Sequence, residues 1–138
     1  MASALSDKQI DELIDLCLAA REHSYSPYSK FRVGAALRTV DGKIYQGCNV
    51  ENASYGGAIC AERTAFVKAV SEGHRRFVAI AVATDYNQFS TPCGICRQFM
   101  NEFGKNLEVF FVNDDRTYKR AILADLLPYA FGPDDMEN

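Results

Sequence analysis

The sequence has no long hydrophobic run and no cluster of basic residues. No stretch of about eighteen apolar residues occurs, and the opening MASALSDKQI lacks the charged-then-apolar pattern of a secretory signal. We therefore expect no membrane insertion and no export, and a cytoplasmic location. The net charge is −3, and no Lys/Arg run supplies the electrostatic footprint of a nucleic-acid binder. A polymeric nucleic-acid substrate is therefore disfavoured.

The sequence also lacks internal repeats, low-complexity segments and linkers. With 138 residues, of which 48% are hydrophobic, it predicts a single domain spanning 1–138. Its five cysteines are Cys17, Cys48, Cys60, Cys93 and Cys96. Because the cytosol keeps thiols reduced, these cysteines are expected to serve packing, metal binding or catalysis and not disulfides.

Local patterns in the first half of the chain predict a helix followed by a β-hairpin. A capping-box pattern at Ser6 and apolar residues at helical spacing predict a helix over 6–23. The Asp-Gly dipeptide at 41–42 is a strong hairpin signal. It predicts two antiparallel strands over about 31–39 and 43–50.

The second half of the chain alternates between helical periodicity and short apolar runs, which are typical of buried strands. The predicted elements are a helix over 60–73, a strand over 77–84, a helix over 94–104, a strand over 107–112 and a last helix before Pro128. The segment TYKRAILADLL fits either a short strand followed by a turn of helix or one longer helix. The first interpretation is favoured.

This order of elements predicts an α/β fold, a three-layer α/β/α sandwich around a mixed sheet. An N-terminal antiparallel hairpin would join later strands that run parallel through helical crossovers. Ligand sites in such sheets lie beyond the carboxyl ends of the strands. Cys60 and the Cys-x-x-Cys pair at 93–96 both follow predicted strands at that edge.

Three cysteines at two helix openings suggest a metal site. Unpaired N–H groups and the helix dipole lower a thiol pKa at such openings, so Cys60, Cys93 and Cys96 (the three cysteines) could converge on one ion. Soft sulfur ligands select zinc, and three protein ligands leave a fourth position for water, as in catalytic zinc sites. Glu62, two residues after Cys60, could take a proton from that water.

Other interpretations of these residues remain open at this point. The Cys-x-x-Cys pair alone could be a redox pair, although that gives no role to Cys60 and Glu62. Alternatively, Cys48 could close the zinc site as a fourth ligand, giving a non-catalytic module that binds a protein partner. Glu62 taken alone fits a solvated acid in a first helical turn, and Cys17 fits a core position.

The combination of motifs carries a family resemblance. CAE at 60–62, followed about thirty residues later by PCGIC at 92–96, resembles the zinc nucleobase-deaminase signature with cysteine in place of the first histidine. SYSPYSKFRVGAAL, GCNVENASY, CAERTA, PCGICRQF and DLLPYAFGP extend the resemblance to small cytidine deaminases over about residues 24–134. The chain is identified as a member of that family.

The resemblance implies a function and a cofactor. It implies hydrolytic deamination of free cytidine and deoxycytidine to uridine and deoxyuridine in pyrimidine salvage, with release of ammonia. It also implies one Zn²⁺ per subunit, held by the three cysteines, with Glu62 as the proton shuttle. Arg63 and Gln98 match positions that support the ligands, where the arginine donates to the thiolates. Another aminopyrimidine, such as a nucleoside antibiotic, is the alternative substrate.

The resemblance also implies the substrate contacts. Asn49 and Glu51 match a ribose-binding pair, Phe31 an aromatic that stacks on the pyrimidine, and the backbone of Ala61 a contact to the base edge. The charge of Glu51 would repel a phosphate on the sugar, which favours a nucleoside over a nucleotide.

Small members of the family are homotetramers whose active sites are shared between subunits. Phe131 matches a residue that reaches a neighbouring site, and Tyr55 matches a position near the shared site. Thr91 stands where the family commonly has serine, and the loop containing Gly56 and Gly57 is richer in glycine than usual.

Overall fold

The computed structural model of the chain describes residues 2–137. Five strands form one sheet: β1 (Val33–Thr39), β2 (Ile44–Cys48), β3 (Phe77–Thr84), β4 (Glu108–Val112) and β5 (Tyr118–Ile122). Their order across the sheet is β2-β1-β3-β4-β5. β3 and β4 pair in parallel, and the other neighbours pair antiparallel.

Helices cover both faces of this sheet. They are α1 (Asp7–Ala20), α2 (Ala61–Ser71), α3 (Gly94–Asn101) and the short α4 (Leu123–Leu126), with 3₁₀ turns at Arg21–His23, Tyr55–Gly57 and Pro133–Met136. The core cluster on one face contains the apolar side of α1, and the cluster on the other face contains residues of α2 and α3. The predicted α/β/α sandwich with a mixed sheet is confirmed.

Two glycines let the helices approach the hairpin closely. A Cβ on Gly34 of β1 would lie 2.2 Å from the carbonyl oxygen of Cys17 on α1. On the opposite face, a Cβ on Gly47 of β2 would lie 2.5 Å from the carbonyl oxygen of Ala61. The second contact sets the start of α2 directly against the sheet, where Cys60 precedes it.

An aromatic cluster fixes α2 relative to α3. The buried ring of Phe66 on α2 lies 6.3 Å from that of Phe99 on α3 and 5.6 Å from that of Phe103, between ring centroids. Phe77 at the start of β3 completes the cluster at 4.9 Å from Phe66. Because rings of this size bury large apolar areas, the cluster holds the two cysteine-bearing helices in a defined relation.

Most element predictions are confirmed. Ser6 forms the predicted capping box, β3 spans Phe77–Thr84 as expected, and Cys17 is fully buried in the core. The segment after residue 117 is a strand followed by one helical turn, which was the favoured interpretation. Within residues 2–137, no helix is both long and apolar enough to cross a membrane.

The boundaries of four elements and the direction of one strand differ from the predictions. The first helix changes to a 3₁₀ turn at Arg21, α3 ends at Asn101 before a turn that reaches Gly104, and both hairpin strands are shorter than predicted. β5 runs antiparallel to β4, not parallel. Its connection, in which the Asn113 amide donates to the Thr117 carbonyl, is too short for a helical crossover, so only an antiparallel pair can form.

Candidate active site

The three cysteines meet at the openings of two helices. Cys60 is the N-cap of α2 and Cys93 the N-cap of α3, while Cys96 lies buried in the first turn of α3. Their sulfur atoms all lie within 4.8 Å of one another, and the Cys60 and Cys93 sulfurs are 4.0 Å apart. Neither N-cap thiol is used to cap its helix. The sulfurs are therefore available as ligands.

This donor set fits zinc. Zinc–sulfur bonds of about 2.3 Å place two tetrahedral ligands about 3.8 Å apart, close to the separation of Cys60 and Cys93. Among the described residues, Cys48 is not part of the group. Its thiol instead donates to the carbonyl of His23, at 3.3 Å. The structure therefore gives no support to a site closed by four cysteines.

Neighbouring groups stabilise negative charge on the cluster. A hydrogen bond from the Cys96 thiol, together with the neighbouring Arg63, outweighs burial and lowers the pKa of Cys60 to about 5. The same interaction raises the pKa of Cys96, which keeps its proton. The Nη2 of Arg63 lies 3.6 Å from the Cys60 sulfur, and its buried Nε has no hydrogen-bond partner among residues 2–137.

Glu62 is buried beside these thiols. Only 4% of the residue is exposed, so the solvated first-turn acid considered from sequence is not what the structure contains. Burial raises the pKa of Glu62 to about 7. A carboxyl group with such a pKa can both accept and donate a proton near neutral pH, which suits general acid–base chemistry.

A cleft of about 400 Å³ opens above the cysteines at the carboxyl end of β3. One wall comes from residues 28–33 (the wall segment), of which Ser29, Phe31 and Val33 line the cleft, and another from the loop at 90–93. A larger cavity of about 550 Å³ lies between α3 and the C-terminal segment. It contains no cysteine, so chemistry and not size identifies the candidate site.

Most of the residues predicted from sequence meet in this cleft. Those that line it are Phe31, Asn49, Glu51, Cys60, Ala61, Glu62, Thr91 and Cys93.

Asn49 holds the wall segment through its side-chain amide. Its Nδ2 donates to the carbonyl of Phe31 at 2.8 Å, and its Oδ1 accepts from the Val33 amide at 2.9 Å. Its Oδ1 also accepts from the hydroxyl of Ser24. Since an amide offers two N–H groups and two acceptor sites, one N–H of Asn49 remains for a ligand.

Glu51 organises the start of the same segment. Its carboxylate accepts from the backbone amides of Tyr28 and Ser29, at 3.0 and 3.1 Å, and from the Ser29 hydroxyl. The hydroxyl is the main cause that lowers the pKa of Glu51. The charge at this end of the cleft is therefore kept at neutral pH.

Five predicted residues do not line the cleft. Cys96 and Arg63 contact the Cys60 thiol, and the other three are Tyr55, Gln98 and Phe131. Tyr55 and Phe131 are 76% and 59% exposed, on the 3₁₀ turn after β2 and on the C-terminal segment. The Gln98 amide donates to the carbonyl of Phe131 at 2.8 Å. Gln98 thus joins α3 to the C-terminal segment.

Sequence reasoning did not single out Asp85, which is joined by hydrogen bonds to the wall segment. One signal could have indicated it. An acidic residue directly after a buried strand, at the carboxyl end, stands where ligand sites form in such sheets.

The cluster of three thiols and the buried carboxyl group at this cleft have the composition of a zinc hydrolase site, and comparison with known proteins agrees. Residues 7–112 match the model of the cytidine and deoxycytidylate deaminase zinc-binding region. The probable cytidine deaminase of Dictyostelium discoideum is 47% identical over 133 residues, covering 96% of this chain and 90% of that protein. The cytidine deaminase of Halalkalibacterium halodurans is also 47% identical over 133 residues, covering 96% of this chain and 99% of that protein.

A solved structure extends the agreement to three dimensions. The crystal structure of cytidine deaminase from Burkholderia pseudomallei matches with a TM-score of 0.86 at 48% identity, covering 92% of this chain and 100% of that chain. The chain therefore belongs to the zinc-binding cytidine and deoxycytidylate deaminase family. The predicted family, enzyme class and zinc cofactor are confirmed.

Proposed function

We propose that the protein deaminates free cytidine and deoxycytidine by hydrolysis, giving uridine or deoxyuridine and ammonia. The observation that carries this proposal is that two of the three clustered thiols, those of Cys60 and Cys93, line one cleft together with the buried Glu62 and the Phe31 ring. Curated relatives at 47% identity are named cytidine deaminases. Such an enzyme serves pyrimidine salvage in the cytoplasm.

The three cysteines would hold Zn²⁺. Bound there, zinc would act as a Lewis acid that lowers the pKa of a water molecule towards about 7, so that hydroxide would be available at neutral pH to attack C4 of the base. Glu62 accepts one proton from the attacking water and delivers it to ring N3, and it then transfers the remaining proton of the new C4 hydroxyl to the exocyclic amine. The C4–N bond breaks as ammonia leaves. The raised pKa of Glu62 supports both proton transfers.

The remaining cleft residues recognise the nucleoside. Phe31 stacks on the pyrimidine, the backbone of Ala61 contacts the base edge, and Asn49 and Glu51 bind the ribose. Asn49 does so with its one remaining N–H, and Glu51 with the acceptor sites that its backbone partners leave free.

A free nucleoside suits the charge of the cleft better than a nucleotide. None of the described residues that line it is lysine, arginine or histidine, whereas two are glutamates. A sugar phosphate would therefore meet Glu51 without a compensating cation.

The active form is a homotetramer with shared sites. Tyr55 and Phe131, exposed in one chain, would complete sites of neighbouring subunits. Arg63 would temper the charge of the zinc-bound thiolates, and Gln98 would hold the segment that carries Phe131. Sedimentation measures the oligomeric state, and a monomeric active enzyme would contradict this assembly.

One assay tests the function. The purified protein is mixed with cytidine, deoxycytidine or CMP, and loss of cytidine absorbance and release of ammonia are followed with and without a zinc chelator. We expect turnover of both nucleosides that stops on chelation. Bound zinc without turnover would instead support a non-catalytic zinc module. Higher activity on another aminopyrimidine would show that the proposed substrate is wrong.

A further inference from the structure

Asp85 connects the end of β3 to the wall segment. Its Oδ2 accepts a hydrogen bond from the backbone amide of Arg32 at 3.0 Å, and its Oδ1 lies 2.9 Å from Nη2 of the same residue. Arg32 stands between Phe31 and Val33, which both line the cleft. Asp85 itself follows Thr84, which also lines the cleft.

We propose that Asp85 is a positioning residue that fixes the Phe31 ring at the cleft, an inference that rests on the proposed function. Sheet pairing of β1 with β3 begins at Val33 with Thr84, so residues 31 and 32 have no strand partner in that pairing. Asp85 replaces that partner by binding the Arg32 amide. Asn49 binds the backbone on either side of it.

The residue after Asp85 reinforces this arrangement. The Tyr86 ring packs against the Phe31 ring, with centroids 4.7 Å apart and planes tilted by 49°. Asp85 therefore holds the backbone next to Phe31, while the residue that follows Asp85 packs on the Phe31 ring. Holding a reacting base in a defined orientation lowers the entropic cost of reaching the transition state.

A buried arginine anchors Asp85 from the other side. Nη1 of Arg21 lies 3.4 Å from the Asp85 carboxylate, and it donates to the Thr84 carbonyl at 2.9 Å. The same nitrogen lies 2.8 Å from the carboxylate of Asp114. Asp114 thus shares the arginine with Asp85, and no contact joins its side chain to residues 31–33 among the described hydrogen bonds and ion pairs.

Asp114 therefore supplies a matched control. Asp85→Asn and Asp114→Asn each remove one negative charge beside Arg21, but only the first weakens the bond to the wall segment. We expect Asp85→Asn to raise KM for cytidine about tenfold, which corresponds to about 1.4 kcal/mol, with kcat within about twofold of wild type. Asp114→Asn should change KM by less than about twofold. Equal KM values for the two variants would overturn the proposal.

A double-mutant cycle separates positioning from a general structural effect. If Asp85 acts through Phe31, Asp85→Asn should change KM by less than about twofold in a Phe31→Ala background. A full tenfold effect in that background would show that Asp85 acts by another route. Zinc content and the melting temperature of each variant report on the rest of the fold: zinc content should not change, and the melting temperature should fall by no more than about 5 °C.

A conservative variant covers the case in which Asp85→Asn does not fold. Asp85→Glu keeps the charge beside Arg21 and Arg32 but moves the carboxylate by one methylene. We expect it to fold and to raise KM about threefold. An unchanged KM would show that the exact position of the carboxylate does not matter, which would count against a positioning role for Asp85.

Amide hydrogen exchange at Arg32 gives a measurement that does not depend on activity. We expect slow exchange in the wild type and in Asp114→Asn, and exchange at least tenfold faster in Asp85→Asn. An inactive wild type with this exchange pattern would contradict the proposed function and not the contact. An active wild type in which Asp85→Asn changes neither exchange nor KM would contradict the inference alone.

Discussion

The two sides of the cleft are built by different means. On the metal side, the three cysteines and Glu62 belong to the openings of two helices that buried phenylalanine rings hold together. On the substrate side, residues 28–32 of the wall segment belong to no helix or strand, and the side chains of Asn49, Glu51 and Asp85 hold the backbone of the segment. Helices thus place the thiols and Glu62, while individual polar contacts shape the other wall of the cleft.

The largest expected effect comes from removing a metal-side thiol. Cys96→Ser should lose zinc and all measurable turnover, because two remaining sulfurs cannot hold the ion at the same affinity. Cys48→Ser is the matched control, since its thiol binds the His23 carbonyl, and it should keep one zinc per chain. Metal analysis of both proteins checks this. Zinc loss in Cys48→Ser would mean that the metal side extends to β2.

The next largest effect separates proton transfer from metal binding. Glu62→Gln should keep its zinc and lower kcat by about 10³-fold, because the amide cannot accept the proton. Glu72→Gln, an exposed glutamate just after the same helix, should turn over at the wild-type rate. Steady-state kinetics measures kcat, and metal analysis measures the zinc content of each variant. A Glu62→Gln enzyme with wild-type kcat would contradict the proposed role of Glu62 in proton transfer.

The contrast between the two sides also decides what could be predicted from the sequence. Local sequence patterns predict the metal side, since Cys60 and Glu62 are two residues apart and both cysteine motifs follow predicted strands. The substrate side rests on contacts between distant residues. Asn49 reaches Phe31 across 18 positions, and Asp85 reaches Arg32 across 53. Contacts between distant residues produce no periodic pattern in the sequence. Only the family resemblance therefore indicated that Asn49, Glu51 and Phe31 belong to the site.

The direction of β5 illustrates the same limit. Apolar periodicity indicates that a strand exists, but its direction depends on the connection before it, and a tight turn at 113–117 excludes a crossover.

A smaller effect tests charge on the substrate side. We expect kcat/KM for CMP to be about 100-fold below that for cytidine, because Glu51 repels the phosphate. Glu51→Gln should lower activity on cytidine, and it should reduce the ratio of kcat/KM for cytidine to kcat/KM for CMP about tenfold. Glu102→Gln, an exposed glutamate after α3, should leave the ratio unchanged. Equal efficiency on CMP and cytidine in the wild type would show that charge does not select the substrate.

The smallest effect concerns the stability of the protein at acid pH. It tests the contribution that Asp85, on the substrate side, makes to the free energy of unfolding. Partial burial raises the pKa of Asp85, but hydrogen bonds and the charges of Arg32 and Arg21 outweigh burial and hold it below its ordinary value. A carboxyl group with a lowered folded pKa stabilises the native state above its unfolded pKa of about 3.9, and this contribution is lost as the pH falls through the folded pKa.

Urea unfolding of the wild type and Asp85→Asn measures this contribution. At pH 7 the variant should be less stable by about 1 kcal/mol, a modest value because the network is partly exposed. The difference should shrink as the pH falls below about 4, where the wild-type carboxyl group takes up its proton. A constant difference from pH 7 to pH 3 would show that packing, and not the charge of Asp85, ties the wall segment to β3.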